Sequence, residues 1–191
     1  MKGIHGKVSD KGQLTTTLFN FFYNYKVRWT SLGYDTPLVD RVFFRPIRDL
    51  IGGQVRLVVC GGAPLAAQTH EFMRAVLGCP VLQGYGLTET SGNGSLSVGG
   101  DLTVGRVGGP ISCSRFRLVD WEEGGYRVTD KPNPRGEVYI GGENVAMGYF
   151  KRADCTDFFV EDGTRWFRTG DIAEAYPDGG FRIIGEEKGN F

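Results

Sequence analysis

The segment from Val55 to Glu89 restricts most what this chain can fold into. Val55-Arg56-Leu57-Val58-Val59-Cys60 is a β-branched run ending in Gly61-Gly62-Ala63-Pro64, the pattern of a buried strand entering a glycine loop. Pro64 suits the first position of a helix. Leu65, Thr69, Phe72, Met73, Val76 and Leu77 then recur on one helical face, and Gly78 stops it. A second apolar run, Cys79-Pro80-Val81-Leu82-Gln83, follows at once. Strand, loop, helix and strand in that order need a crossover connection, so a parallel sheet is expected. The loops at Gly61–Ala63 and Gly84–Glu89 then leave the carboxyl ends of neighbouring strands. They should face one crevice, where ligands bind in open α/β sheets.

The second loop, Tyr85-Gly86-Leu87-Thr88-Glu89-Thr90, carries the densest chemistry in the chain. It offers an aromatic ring, a hydroxyl, a carboxylate and two glycines, Gly84 and Gly86. Those groups could stack a base, touch a phosphate and hold a divalent cation. Taken alone, the same residues also describe a turn with a packed tyrosine and a solvated glutamate.

Upstream, residues 9–32 are predicted as an amphipathic helix, with Leu14, Leu18, Phe21, Phe22, Tyr25 and Trp29 as its core stripe. Residues 37–51 predict a second helical stretch, split in two by Pro46. After residue 100 the pattern changes to short strands. These are Arg115–Val119, Tyr126–Val128 after a Glu122–Gly125 hairpin turn, Glu137–Ile140, Trp166–Ile172 and Phe181–Ile184. Their spacing predicts a small antiparallel barrel. The expected organisation is therefore a partial α/β subdomain over 1–100 and a barrel-like subdomain over 101–184.

Composition excludes several classes of function. Lysine plus arginine balance aspartate plus glutamate at 22 each, and no basic cluster interleaves with aromatics, so nucleic acid is not an expected partner. The four cysteines, Cys60, Cys79, Cys113 and Cys155, lack zinc-site spacing and suit reduced thiols in an intracellular protein. No apolar run nears the ~20 residues of a membrane span. Any membrane association is expected to come from sequence outside this chain, leaving these residues soluble. There is no GxSxG elbow and no GxxxxGK[ST] loop, and Gly84-Tyr85-Gly86 supplies only the first two glycines of GxGxxG. His70, beside Glu71 but without HExxH spacing, reads as a surface or helix-face residue.

Three segments, Gly61-Gly62-Ala63-Pro64-Leu65, Tyr85-Gly86-Leu87-Thr88-Glu89 and Trp166-Phe167-Arg168-Thr169-Gly170-Asp171, match a known family in order and separation. Together they resemble the adenylate-forming superfamily of acyl-CoA synthetases, adenylation domains and luciferases. Pro132-Asn133-Pro134-Arg135-Gly136-Glu137, Gly148-Tyr149-Phe150 and Arg165-Trp166-Phe167-Arg168-Thr169-Gly170-Asp171-Ile172 bring it closest to the long-chain fatty acyl-CoA synthetases, and Gln83–Glu89 and Asp178-Gly179-Gly180-Phe181-Arg182-Ile183-Ile184 agree with that branch. The resemblance extends over residues 10–184 and implies part of the large N-terminal domain of such an enzyme.

By resemblance, the reaction joins a long-chain fatty acid to coenzyme A through an acyl-adenylate, with ATP and Mg²⁺. Tyr85 would stack on adenine, and Gly62 and Ala63 would let backbone approach it, with Gly86 in the same nucleotide pocket. Thr88 would touch the α-phosphate, Glu89 would bind Mg²⁺, and Asp171 would accept both ribose hydroxyls. Thr88 and Glu89 are thus the residues nearest the chemistry, while Trp166 and Phe167 read as barrel packing. On this basis full-length relatives would sit on endoplasmic reticulum or other organelle membranes. A short-chain or aryl-CoA ligase of the same superfamily, or a non-catalytic nucleotide-binding or interaction module, are the alternatives.

Two family features do not match. No Ser/Thr/Gly-rich loop ending in Pro-Lys precedes Tyr85, and Gly185-Glu186-Glu187-Lys188-Gly189-Asn190-Phe191 stands where an Asp-Arg-Lys hinge is expected. That tail, 185–191, is expected to be intron read-through or a gene-model error, and the chain is expected to lack ligase turnover by itself.

Overall fold

The computed structural model describes residues 13–152 and 155–186. Two compact units interleave along the sequence. One gathers the chain up to Val58 with Leu65–Val81 and Leu102–Val104; the other gathers Val59–Pro64, Leu82–Asp101 and the chain from Gly105 onward. Packing thus draws both glycine loops into the unit that holds the strand-rich sequence.

The first unit is helical. Helix α1 (Gln13–Ser31) is followed by α2 (Pro37–Val39), one π-helical turn (Asp40–Phe44) and α3 (Arg45–Asp49). The expected split at Pro46 does not occur there. Pro46 sits in the first turn of α3, where its missing N–H costs little. The irregularity falls one turn earlier, where the Arg45 N–H reaches the Asp40 carbonyl in an i→i−5 closure. Phe19, Phe44, Phe72 and Val76 form the core, with Tyr23, Val39, Phe43 and Ile47 packed against it. Phe19 meets Phe44 edge-on at 6.0 Å.

Helix α1 presents a different face to this core than its periodicity predicts. Leu14 is 83% exposed and Phe21 62%, and Leu18, Tyr25 and Trp29 are exposed as well. Only Phe22 of the predicted stripe is half-buried, stacked on Phe43 at 3.7 Å. The helix carries two apolar faces, and what anchors one of them inward is a charge. Lys26 is only 2% exposed. Its ammonium donates to Asp40 Oδ1, which also accepts from Arg48 Nη2. Burial pulls the Lys26 pKa below its ordinary value, against the opposing pull of Asp40. Arg48 Nε also donates to the Val76 carbonyl at 3.1 Å.

Helix α4 (Ala67–Leu77) begins three residues later than Pro64 suggests. The first amides to turn back, Thr69 and His70, bond to the Ala66 carbonyl, which leaves Pro64 in the loop. Gly78 ends α4 at φ 61°, and a Cβ there would lie 2.0 Å from the Arg48 guanidinium, so a larger residue would be strained and would displace Arg48. His70 is not a surface residue: it is 2% exposed, with Nε2 2.6 Å from the Val81 carbonyl.

Strand β1 (Val58–Cys60) is shorter and more open than expected. Val55, Arg56 and Leu57 lie outside it, and Leu57 and Val59 are more than half exposed. It neighbours β2 (Val81–Tyr85), with α4 connecting the two, followed by β3 (Ser95–Leu96) and β4 (Gly109–Pro110). The β2–β3 and β3–β4 pairs are antiparallel.

The second unit is built on a five-stranded antiparallel sheet. It comprises β5 (Ser114–Val119), β6 (Arg135–Gly142), β7 (Phe158–Glu161), β8 (Thr164–Ala175) and β9 (Phe181–Glu186). The order is β5-β6-β8-β7. Because β8 is 12 residues long, its first part pairs with β7 and its last part with β9. On this sheet, Phe116 of β5 and Phe181 of β9 meet at 5.1 Å. Val138, Ile140, Val145, Phe167 and Ala173 fill the interior. Trp166 is buried too, with the Arg117 guanidinium 4.4 Å from its ring centre. Tyr126–Val128 does not form a strand. The hairpin turn closes with a single Trp121–Tyr126 bridge, because Gly124 lies against the Trp121 ring and the chain then turns away.

Among the described residues, no helix is long and apolar enough to cross a membrane. The Asp40 cluster makes a quantitative prediction. Asp40→Ala strands the buried Lys26 ammonium and should destabilise the chain by about 3 kcal/mol. Lys26→Met on that background should recover most of the loss, read as urea midpoints by tryptophan fluorescence.

Candidate functional site

Tyr85 ends β2, and the chain must then reverse within a few residues to reach β3. Gly86 makes the reversal possible, since a Cβ on it would lie 2.5 Å from the Gly92 carbonyl oxygen. Thr88–Thr90 forms one 3₁₀ turn, closed by Ser91 at φ 57° and Gly92 at φ 79°. The Gly92 N–H bonds to the Leu87 carbonyl at 2.8 Å, and the Gly94 N–H to the Tyr85 carbonyl at 2.9 Å. Thr90, fully buried, accepts the Leu87 N–H on its hydroxyl at 3.0 Å. A distant segment clamps the turn from outside. The Asn144 amide nitrogen donates to the Thr90 and Asn93 carbonyls at 3.2 and 2.7 Å, and the Ala146 N–H donates to the Glu89 carbonyl at 2.8 Å.

Within this turn Thr88 is exposed and Glu89 half-buried. The Tyr149 hydroxyl donates to Glu89 Oε1 at 2.5 Å. That bond to a carboxylate, then burial, then the Glu89 charge push the Tyr149 pKa up to about 12. Tyr149 is steadied by Phe158, edge-on at 5.3 Å.

Tyr85 is held at both ends. Its ring meets Phe116 edge-on at 6.2 Å and packs against the sheet core. Its hydroxyl donates to Asp171 Oδ2, a residue 86 positions away. Asp171 is 8% exposed and owes its position to a bulge in β8. Tyr139 pairs with Arg168 and Glu137 with Ile172, so Thr169, Gly170 and Asp171 all face Val138. Such a bulge re-aims a side chain out of the ladder. It is internally satisfied. The Thr169 hydroxyl donates to the Val138 carbonyl at 2.7 Å and accepts the Asp171 N–H at 3.0 Å. The Gly170 N–H donates to Glu137 Oε1 at 3.1 Å, with Gly170 at φ 69°.

Gly62 and Ala63 lie on the exposed loop after β1, in the same compact unit. A Cβ built on Gly61 would sit 3.4 Å from the Gly84 carbonyl oxygen, so this loop abuts the end of β2. The structure therefore joins Tyr85 to Asp171 directly and places Thr88 and Glu89 in the turn that Tyr85 opens. Sequence reasoning gave no role to Asn144, Tyr149, Thr169 or Glu137. Asn144 and Tyr149 act through contacts 50 or more residues away, which leave no local signal. Glu186 continues β9 opposite Asp171; residues 187–191 lie outside the described residues.

No group of three or more His, Cys, Asp or Glu could hold a metal among the described residues. Glu89 stands alone as an oxygen donor. That suits Mg²⁺, which keeps several waters and is held by one or two carboxylates plus phosphate oxygens. It does not suit a metal needing a full protein cage.

The structure thus joins the end of β2 to β8 through Tyr85 and Asp171, beside a turn bearing Thr88 and Glu89, and comparison with known proteins gives the class. Residues 13–150 match the AMP-binding enzyme family, and the chain belongs to it. It is 42% identical to long chain acyl-CoA synthetase 8 of Arabidopsis thaliana, over 98% of this chain and 27% of that protein. The adenylation domain of a carboxylic acid reductase from Segniliparus rugosus, solved with AMP and a carboxylic acid, superposes with a TM-score of 0.62. It is 28% identical over 89% of this chain and 26% of the other. A malonyl-CoA ligase solved with methylmalonyl-CoA and AMP superposes with a TM-score of 0.57, at 36% identity over 71% of this chain and 28% of that one. The fold expected from the resemblance, part of the large N-terminal domain of an adenylate-forming enzyme, is thus the fold present.

The bulge is open to test. Thr169→Val leaves the Val138 carbonyl and Asp171 N–H without partners and should cost about 2 kcal/mol, whereas Thr169→Ser should cost well under half of that. Urea unfolding of the two variants against the unsubstituted chain gives the comparison.

Proposed function

We propose that this chain carries the adenylate-binding corner of a long-chain fatty acid–CoA ligase. One observation carries the reading: Tyr85 and Asp171, far apart in sequence, are locked together where β2 ends, with Glu89 in the next turn. The chain spans about a quarter of the curated relatives it matches, 27% for the Arabidopsis synthetase. The activity proposed therefore belongs to a whole protein of that kind.

In this reading each residue performs a task suited to its surroundings. Tyr85, fixed by Phe116 and Asp171, offers its ring to adenine. Gly62 and Ala63 let the loop backbone come close to the base, and Gly86 keeps the turn beneath it tight. Asp171, buried and ionic, accepts both ribose hydroxyls; charge-assisted bonds of this kind are the strong ones. The Thr88 hydroxyl donates to an α-phosphate oxygen, and Glu89 supplies one oxygen to Mg²⁺. Bound Mg²⁺ screens the phosphate charge that builds as pyrophosphate departs.

The chemistry has two balanced steps. A fatty acid carboxylate oxygen bonds to the α-phosphorus of ATP as the bond to pyrophosphate breaks. The thiol sulfur of coenzyme A then bonds to the acyl carbon, loses its proton, and AMP leaves. This chain's residues serve chiefly to position reactants and to stabilise charge. The phosphate loop that the family places before the tyrosine turn has no counterpart upstream of Tyr85, so the 191-residue chain should bind nucleotide without turning over.

Calorimetry should show AMP binding to the chain, and Asp171→Ala should weaken it at least about tenfold, as expected for losing a hydrogen bond to a charged group. Palmitate or arachidonate should drive little or no ATP–pyrophosphate exchange. Absence of AMP binding would sink the corner; robust exchange would sink the claim that the chain is inactive by itself.

A further inference from the structure

We propose that Asn144 and Tyr149, on the segment after β6, are positioning residues for the phosphate-and-metal half of the nucleotide corner. The adenosine half is set by other groups, since Tyr85 and Asp171 are steadied by Phe116 and Thr169. The inference rests on reading Thr88 and Glu89 as the residues that meet phosphate and Mg²⁺.

The segment grips the turn after β2 along most of its length. The Ala146 N–H donates to the Glu89 carbonyl at 2.8 Å. The Asn144 amide nitrogen donates to the Thr90 and Asn93 carbonyls at 3.2 and 2.7 Å. The Asn144 backbone carbonyl accepts the Ser91 hydroxyl at 3.0 Å. The Tyr149 hydroxyl donates to Glu89 Oε1 at 2.5 Å. Glu89 is thus met at its backbone and at its side chain from one short stretch of chain.

That stretch is itself anchored. Val145, between Asn144 and Ala146, is 2% exposed and packs in the sheet core with Val138 and Ile140. The Asn144 amide nitrogen also lies 2.9 Å from the Ser114 hydroxyl on β5. Gly142 leaves room for the amide: a Cβ there would sit 2.8 Å from Asn144 Oδ1. The Phe158 ring meets Tyr149 edge-on at 5.3 Å.

Two carbonyls facing one side chain call for a donor, which the amide of Asn144 supplies and a carboxylate would not. At Glu89, an oxygen that accepts one hydrogen bond keeps a lone pair. The Tyr149 bond therefore aims the carboxylate and leaves it open to a metal. A turn ordered in advance spares the ligand the cost of ordering it. Loss of either positioning group should weaken the response to Mg²⁺ and leave the grip on AMP intact. A residue that only stabilises the fold would weaken both.

The test titrates AMP, and ATP with Mg²⁺ or with EDTA, calorimetrically into the 191-residue chain and its Asn144→Ala, Tyr149→Phe and Glu89→Gln variants. Thermal melts identify the folded variants. Tyr149 is 45% exposed, so Tyr149→Phe decides the matter if Asn144→Ala does not fold. Each positioning variant should bind AMP as the unsubstituted chain does. Each should lose about three- to tenfold of the gain in ATP affinity that Mg²⁺ brings, the worth of one hydrogen bond, and Glu89→Gln should lose most of that gain. An unchanged gain in a folded positioning variant, with Glu89→Gln still damaging, overturns the inference and leaves Glu89 as ligand. Equal losses for AMP and for ATP with Mg²⁺ overturn it in favour of a purely structural role. A full gain in Glu89→Gln, or no AMP binding by the unsubstituted chain, overturns the underlying reading and the inference with it.

Discussion

A buried carboxylate is costly unless hydrogen bonds replace its water, and the arrangement of the second compact unit follows from meeting that cost at Asp171. Its side chain takes a phenol hydroxyl from Tyr85, and its own N–H is bound by the neighbouring Thr169 hydroxyl. Neither would be in reach if β8 ran as a regular ladder strand. Letting Thr169, Gly170 and Asp171 face the single residue Val138 breaks the period of two. Glu137 and Thr169 then absorb the backbone groups the break would orphan. The left-handed Gly170 allows the chain to return to register at Ile172. The interruption is therefore met by hydrogen bonds at the Val138 carbonyl and the Gly170 and Asp171 N–H groups.

The opposing loop solves a complementary problem. A turn that leaves β2 and returns to β3 within a few residues needs backbone in places a Cβ forbids, and Gly86 sits against the Gly92 carbonyl for that reason. Local hydrogen bonds shape the turn, yet they do not fix it in place. Asn144 and the Ala146 amide, from the segment after β6, attach its carbonyls to the sheet. Loop flexibility is lost twice, first to the 3₁₀ turn and then to the sheet. The backbone that carries Thr88 and Glu89 is consequently held by the sheet.

How much of this was legible in the sequence depended on whether the physics was local. Alternating strands, the Gly78 stop of α4 and the glycine turn after Tyr85 all follow from nearest neighbours, and these expectations agree with the structure. The stripe on α1 did not, because periodicity finds apolar faces without saying which one meets a partner; the buried face was decided by Lys26 reaching Asp40. His70 was misplaced for a related reason, since its partner is a carbonyl on the next strand. Asp171 was recognised through motif resemblance alone, and nothing in the spacing of Thr169-Gly170-Asp171 announces a bulge. Tyr149 and Asn144 had no signal, as the turn residues they bond lie more than 50 residues away.

The two carboxylates of the site differ in a way that bears on how a nucleotide would be held. Glu89 is half open and Asp171 is almost closed, yet each is already met by a tyrosine hydroxyl. A ribose diol arriving at Asp171 would therefore meet a carboxylate already ordered by the Tyr85 hydroxyl, and would gain charge-assisted bonds there. A further gain comes from preorganisation. Tyr85 is anchored at its ring by Phe116 and at its hydroxyl by Asp171, so a base stacking on it, as proposed, would meet a ring already ordered, and the entropy of fixing it is not charged to binding. On the proposed reading, base and sugar recognition are coupled through that one phenol. A change at the Asp171 carboxylate would loosen the Tyr85 ring as well, and a change at Tyr85 would leave a buried carboxylate short of a partner.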